Sequence, residues 1–275
     1  MVLETLNNSL GEPKIKPSRS SHKWLNRNPK LVSLGIFVVL VALWEVISFG
    51  FPHYLLPSPW ETWQAFINVS AHGNLWPACW ITLQQMAVGF FIALVLGIIV
   101  GFIIGLSPTI DRFVSPYLNA LYVTPHVMLI PLFIIWFGIG WQAIIVYVFL
   151  NTYFPIVINT TLGIREARSE VTEMANSFCA TRWQMVRKVY LPGAMPMILA
   201  GVRLGVGRAI VAVITAQMLL ALSGVGYLVV DFGNLFRTDE VIATALVVAL
   251  FGILMTSATG WLGRRVTPWN NHEKS

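Results

Sequence analysis

Residues 164–196, IREARSEVTEMANSFCATRWQMVRKVYLPGAMP, separate two long apolar runs and are far too polar to form a third. Apolar residues dominate from about 142 to 163 and return over 197–222. A hydrocarbon core about 30 Å thick is crossed by roughly 20 apolar helical residues. Each run therefore reads as a span, and the polar stretch as their connection. Within it Met174, Phe178, Met185 and Val189 recur at spacings of 4, 7 and 4. That spacing predicts an apolar stripe on one helix, with Arg182, Arg187 and Lys188 on its other faces. Pro192 punctuates the start of the next span. Two readings fit such a segment: a contact surface for another protein, or a helix lying on the bilayer with its basic residues on lipid phosphates.

Outward from this stretch the same pattern repeats. Further apolar runs fall near 31–50, 80–106, 117–139 and 241–263, which makes six spans. The 275 residues are 56% hydrophobic and only 11% charged, with mean hydropathy +0.70. A soluble domain carries about 25% charged residues, so this chain could not cover a globule with water-compatible side chains. The apolar content excludes a disordered chain, and two cysteines, Cys79 and Cys179, exclude a disulfide scaffold. The expected fold is an all-α integral membrane protein of six transmembrane helices over 31–264, with a basic tail at 1–30 and a short tail at 265–275.

The net charge of +6 reflects orientation. With both termini in the cytosol, fifteen of the 18 Lys and Arg residues fall on the cytosolic side, Arg203 and Arg208 lie in the fifth span, and only Arg237 is outside. Basic loops stay on the cytosolic side of a membrane. The excess thus sets topology and implies contact with lipid, not nucleic acid. Outside, Phe51, Tyr54, Trp60, Trp63, Phe66 and Trp76 form an aromatic belt. Trp60, Trp63 and Ile67 share helical spacing and predict a short helix there.

Gly97, Gly101 and Gly105, with Gly201 and Gly205, have the four-residue spacing that lets helices approach closely. Spacing leaves open whether the partner helix belongs to this chain or to a second copy. Pro125, Pro131 and Pro155 interrupt the third and fourth spans, and the carbonyls they free need neighbours or water. Ionisable residues within spans are Glu45, Arg203 and Arg208; at the bilayer centre a charge costs about 2.5–3.5 kcal/mol. Counted from a start near Met197, Arg208 lies roughly 16 Å into the fifth helix. It is a residue of a translocation path, where its charge would favour anions, or one half of a structural ion pair, or an interfacial anchor. Glu45 reads as a packing contact or a path residue, and His126 as a satisfied buried histidine or a solute ligand. No Gly is followed by Lys, so a phosphate-cradling loop cannot be assembled, and no cluster has metal-ligand spacing.

The 164–196 stretch resembles the EAA loop of binding-protein-dependent ABC importer permeases. That pattern runs Glu-Ala-Ala, three residues, Gly, nine residues, Ile, one residue, Leu-Pro. Glu173, Ala175, Leu191 and Pro192 match it, and Val189 fills the Ile position. Met174 and Cys179 depart, standing where the family has Ala and Gly. Leu56-Pro57-Ser58-Pro59, the run from Pro131 to Gly140, Tyr153-Phe-Pro-Ile-Val157 and Ser223-Gly-Val-Gly-Tyr-Leu228 are similar to the nitrate/sulfonate/taurine/bicarbonate branch. Many relatives carry Glu at the place of Gln217 and often Lys at that of His126.

The resemblance implies a type I importer fold in the cell (inner) membrane. Its coupling loop would comprise Glu173, Ala175, Phe178, Cys179, Val189, Leu191 and Pro192. The chain would not be an enzyme and would need no cofactor, since ATP and Mg would be used by separate cytosolic ABC ATPase subunits. A second permease copy or a paralogue would complete the path, and an extracytoplasmic binding protein would deliver the solute. Candidate path residues are Arg208, His126, Gln217 and Glu45. The implied solute is a small anion such as nitrate, a sulfonate, taurine or bicarbonate, with a thiamine- or riboflavin-type precursor or an aromatic acid as the alternative. An ion-coupled secondary transporter would want a carboxylate relay in the membrane, for which only Glu45 is present. A lipid-modifying enzyme would need clustered His, Asp or Glu at one membrane face.

Overall fold

A computed structural model of the chain describes residues 29–177, 180–220 and 222–267. Among them every regular element is helical. The first helix, α1 (Pro29–Ser48), belongs to a unit that ends at Gly50, and the remaining helices form a second unit from Phe51. Leu34, Phe37, Val39 and Leu40 of α1 are all exposed, so it is apolar all round, as a lipid-facing helix is.

The second unit opens with α2 (Pro59–His72), the short helix expected from Trp60, Trp63 and Ile67. A reciprocal cap starts it: Glu61 N–H donates to Ser58 Oγ at 3.2 Å, and Ser58 N–H donates to Glu61 Oε2 at 2.8 Å. Thr62, Ala65 and Val69 face inward and the three expected residues face out. There follow α3 (Leu75–Leu106), α4 (Pro108–Val123) and, after a 3-10 turn over His126–Leu129, α5 (Ile130–Phe137). The run at 117–139 is thus two helices that meet at 83°, where one kinked helix was expected. Pro125 is the cause. It has no N–H to continue the ladder, and it holds Thr124 extended at φ −60°, ψ 130°.

The largest departure lies in the 164–196 connection. α6 (Trp141–Ser177) continues fourteen residues beyond the expected end of the fourth span and passes through Pro155 unbroken. A single turn, α7 (Arg182–Met185), then enters a π turn at Val186–Tyr190, which runs directly into α8 (Leu191–Leu220). Met174 therefore lies on α6, whereas Met185 ends α7 and Val189 falls in the π turn, so the expected stripe does not run along one helix; Phe178 is outside the described residues. Thr181 restarts the helix: its N–H donates to Gln184 Oε1 at 2.9 Å, and Gln184 N–H donates to its Oγ1 at 3.3 Å. The π turn precedes Pro192, which cannot donate to the carbonyl of Lys188; the Leu191 N–H reaches back to Val186 O instead. Two further helices, α9 (Val225–Asn234) and α10 (Thr238–Val266), complete the unit. Among the described residues five helices are long and apolar enough to cross a membrane, and the bent α4–α5 pair makes a sixth when counted as one span.

α6 lies between α3 and α8, and glycine sets both distances. A Cβ at Gly97 would stand 2.8 Å from Ile156, at Gly101 2.7 Å from Thr160, and at Gly105 2.7 Å from Ile164. On the other side, a Cβ at Gly201 would meet Asn159 at 2.7 Å, and one at Gly163 would meet Met197 at 2.7 Å. The glycine rows are accordingly spent on packing within this chain. Where lipid tails are as apolar as leucine, such close backbone approach is what holds helices together.

Candidate functional site

The connection between α6 and α8 is anchored to the helical bundle. Met185 and Tyr190 are buried against Ile164, Ala194 and Ile198, and the half-buried Val189 and Leu191 pack on the same cluster. Ile98, Phe102 and Leu106 of α3 close it from the opposite side. Arg168 Nη1 donates to Leu106 O at 3.0 Å, and Arg165 lies 3.6 Å from Asp111 at the start of α4. A force applied to this segment is thereby transmitted to α3, α4, α6 and α8 together. Glu173 and Ala175 fall in the last turns of α6, where the helix is described without its side chains. Phe178 and Cys179 lie outside the described residues. Leu191 and Pro192 open α8. The sequence analysis named Arg187 and Lys188 but not Trp183, which is 69% exposed beside them. An exposed tryptophan four residues before an exposed arginine on short helical turns was the available signal.

The second place of interest is on α8. This helix begins at Leu191, six residues before the expected start, which puts Arg208 about 26 Å from one end and about 18 Å from the other at ~1.5 Å per residue. The residue is exposed and forms no ion pair among the described residues. Its Nη2 donates to Tyr122 Oη at 3.3 Å, and its guanidinium carbon sits 5.6 Å from the Tyr122 ring centre. Tyr122 ends α4, so the bend at Pro125 brings α4 and the turn after it to Arg208. His126, on that turn, stacks on Phe154 of α6 with ring centres 5.4 Å apart and 7° between planes. Asn151 and the Leu121 carbonyl are its polar neighbours, and Arg208 is a cation acting on it. The fold thus gathers Arg208, Tyr122, Asn151 and Phe154 from three helices, and His126 from the turn after α4. Neither Tyr122 nor Asn151 stood out in the sequence, where a tyrosine and an asparagine inside apolar runs carry no pattern.

Gln217 lies elsewhere on α8, and Glu45 belongs to the first unit. Gln217 is fully buried: its Nε2 donates to Gln85 Oε1 at 2.7 Å, and its Oε1 accepts from Gly226 N–H at 3.0 Å and stands 3.0 Å from Thr82 Oγ1. Thr82 in turn accepts from Val225 N–H at 3.0 Å. The amide ties α3, α8 and the start of α9 into one network, and Gly224 stands beside it at φ +101°, a position where a Cβ would also lie 2.4 Å from Gln217 Nε2. Glu45 sits one turn before the end of α1, in the first unit, with its carbonyl accepting from Ser48 Oγ at 2.7 Å.

A helical bundle with a broken span, an arginine that forms no ion pair among the described residues and a polar elbow packed onto the bundle is the frame of a membrane-embedded protein. Residues 93–268 match the family of binding-protein-dependent transport system inner membrane components. The chain is 38% identical over 251 residues to SsuC of Escherichia coli (strain K12), a candidate aliphatic sulfonates transport permease protein, across 90% of this chain and 94% of that one. It is 28% identical to the taurine transport system permease protein TauC of the same organism, across 94% and 96%. A chain of the inward-facing MetNI methionine ABC transporter shares the fold, with TM-score 0.60 at 24% identity over 72% of this chain and 99% of that one. The chain belongs to the binding-protein-dependent transport system inner membrane component family. It is a multi-pass permease subunit of an ABC importer, a kind of subunit that is not itself an enzyme.

Proposed function

We propose that this permease, with a second copy or a paralogue, forms the path for a small anion of the sulfonate, taurine, nitrate or bicarbonate kind, handed over by an extracytoplasmic binding protein. The observation that carries the anion reading is Arg208, exposed in the apolar zone of α8 with the Tyr122 phenol beside it and no carboxylate partner among the described residues. A guanidinium facing lipid at that depth would be costly, whereas one facing a wet path lowers the barrier to an anion. His126, close by, is the second path residue. Gln217 acts from behind, by holding α8 in place. Similarity to a sulfonate and a taurine permease supports the same reading.

Power comes from ATP, used with Mg by cytosolic ATPase subunits that grip the elbow from Glu173 to Pro192, with Trp183 and Arg187 as its exposed face. The anchoring of Met185 and Tyr190 turns closure of the ATPases into movement of α6 and α8. Both chain termini are cytosolic, as the Lys and Arg distribution supports. The stacked His126 and Phe154 rings favour a second solute class, an aromatic acid or vitamin precursor.

The test is a mild-detergent pull-down of the tagged chain from its own membranes, followed by uptake in vesicles. An ATPase that copurifies with wild type and is lost with Glu173→Arg supports the coupling role. Uptake of labelled taurine, an alkanesulfonate, nitrate, bicarbonate and an aromatic acid then identifies the solute class. Absence of any ATPase under conditions that keep known complexes intact would overturn the reading.

A further inference from the structure

An apolar cavity of about 330 Å³ lies where α2, α3, α8, α9 and α10 meet, walled by Phe66, Cys79, Thr82, Ile214, Val225 and Val248 among others. Its volume is at the lower end of the roughly 300–1,000 Å³ typical of small-molecule sites. Neither Arg208 nor His126 lines it, and Val213, on its wall, is 1% exposed. The wall offers a ligand nothing to hydrogen-bond strongly. Thr82 is its hydroxyl, and that group already accepts from Val225 N–H and contacts Gln217 Oε1. Cys79 contributes a thiol, which behaves as a small hydrophobe.

What lies outside the cavity decides its occupant. Leu250 and Leu254 belong to its lining and are 59% and 56% exposed. With Leu246 and Ile253 they form the exposed apolar stripe of a membrane-spanning helix, so the cavity is continuous with a surface that meets lipid tails. At one end of the same region Trp76 and Trp80 are each 60% exposed at the start of α3, the position of an interfacial belt, where a headgroup would rest. An empty apolar cavity of this size beside the bilayer forfeits dispersion contacts on every wall, and the abundant molecule of matching chemistry next to it is a lipid tail.

We propose that this cavity binds one acyl chain of a membrane phospholipid, inserted between α3 and α10 from the leaflet on the Trp76 side. The bound chain packs against Thr82 and Val225 and so supports, from the apolar side, the polar network that Gln217 organises.

The test uses the full chain in its native membranes, supplied with a phospholipid that carries a photoactivatable diazirine near the middle of one acyl chain. Adducts mapped to Val213, Ile214 or Val247 are expected, since lipid that stays on the outer surface cannot reach Val213. The variants Val213→Trp and, as a milder filling, Val248→Phe should abolish those adducts and leave labelling of Ile253 unchanged. Native mass spectrometry of the detergent-purified protein should show one fewer retained phospholipid per chain in either variant. Adducts confined to Leu246, Leu250, Ile253 and Leu254 would overturn the proposal, as would an unchanged lipid count in a filled variant that folds. If neither filled variant folds, the wild-type adduct map decides alone.

Discussion

Gln217 donates its side-chain amide to Gln85 Oε1 across 2.7 Å, and both residues are buried, with 0% and 1% of their surfaces exposed. Gly226 N–H depends on the same amide, as does the placing of Thr82. Gln217→Leu keeps most of the volume and leaves Gln85 and Gly226 without partners. Each orphaned buried group costs about 1–3 kcal/mol. The expected outcome is a clear drop in thermal midpoint of the detergent-solubilised protein, followed by fluorescence-detected size exclusion. Gln217→Glu keeps an acceptor for Gly226 and should fall between the two, because the Gln85 amide can turn over to donate.

Gly101 should tolerate no larger residue. A Cβ there would lie 2.7 Å from both Thr160 Cβ and the Val157 carbonyl, and backbone does not give way as a flexible side-chain tip does. Gly101→Leu is expected to cost at least about 1–3 kcal/mol through overpacking and to abolish the monodisperse peak. Gly252→Ala, whose Cβ would meet only Ile210 at 3.9 Å, should leave it unchanged.

Arg208 separates transport from assembly. Arg208→Gln should reduce anion uptake by about tenfold or more, the equivalent of one charge-assisted hydrogen bond of about 1.5–3 kcal/mol, while ATPase copurification stays at the wild-type level. Arg208→Lys should restore part of the uptake, since the charge remains and the planar fork is lost. Normal uptake of the identified anion with Arg208→Gln would remove this residue from the path.

The Thr181–Gln184 cap holds the start of the elbow. Thr181→Ala removes an N-cap oxygen, a change that costs about 0.5–2 kcal/mol. Hydrogen exchange over 181–191 should quicken, with exchange in α10 unaffected. A uniform increase across the protein would argue for global destabilisation instead.

Glu61 gives α2 a pH dependence. Donation from the Ser58 N–H is the largest influence that holds its carboxyl below the ordinary value of 4.5, and His53, 2.7 Å away, acts in the same direction. Because the folded value is the lower one, the ionised form favours the capped helix. The contribution is complete above pH 4.5 and fades as the pH falls through the folded value. Hydrogen exchange in α2 should therefore accelerate on acidification below that point in wild type. Glu61→Gln should abolish this step.

How much of this was legible beforehand depends on the range of the interactions concerned. Apolar run length is a local property, and each expected run falls on a long apolar helix or on the bent α4–α5 pair, but it did not fix where the helices end: α6 runs fourteen residues past the expected end and α8 starts six residues before the expected start. The capping pair Ser58 and Glu61 and the break at Pro125 are equally local, although proline alone did not distinguish a kink from the 83° bend that formed. Reading Met174 through Val189 as one helix failed because periodicity carries no information on where a cap interrupts it, and Thr181 and Gln184 supply that cap.

Long-range placement belongs to the tertiary structure. The sequence by itself determined a helical membrane protein and its family resemblance, and it marked 164–196 as a polar connection without showing that α6 and α8 extend into it. The fold alone decided that Gly97, Gly101 and Gly105 meet Ile156, Thr160 and Ile164 of the same chain, and that Tyr122 reaches Arg208 across 86 positions of sequence. It also buried Gln217, which the motif beside it could equally have left on a path. Spacing along a helix records which residues share a face; only packing against other helices decides what that face meets.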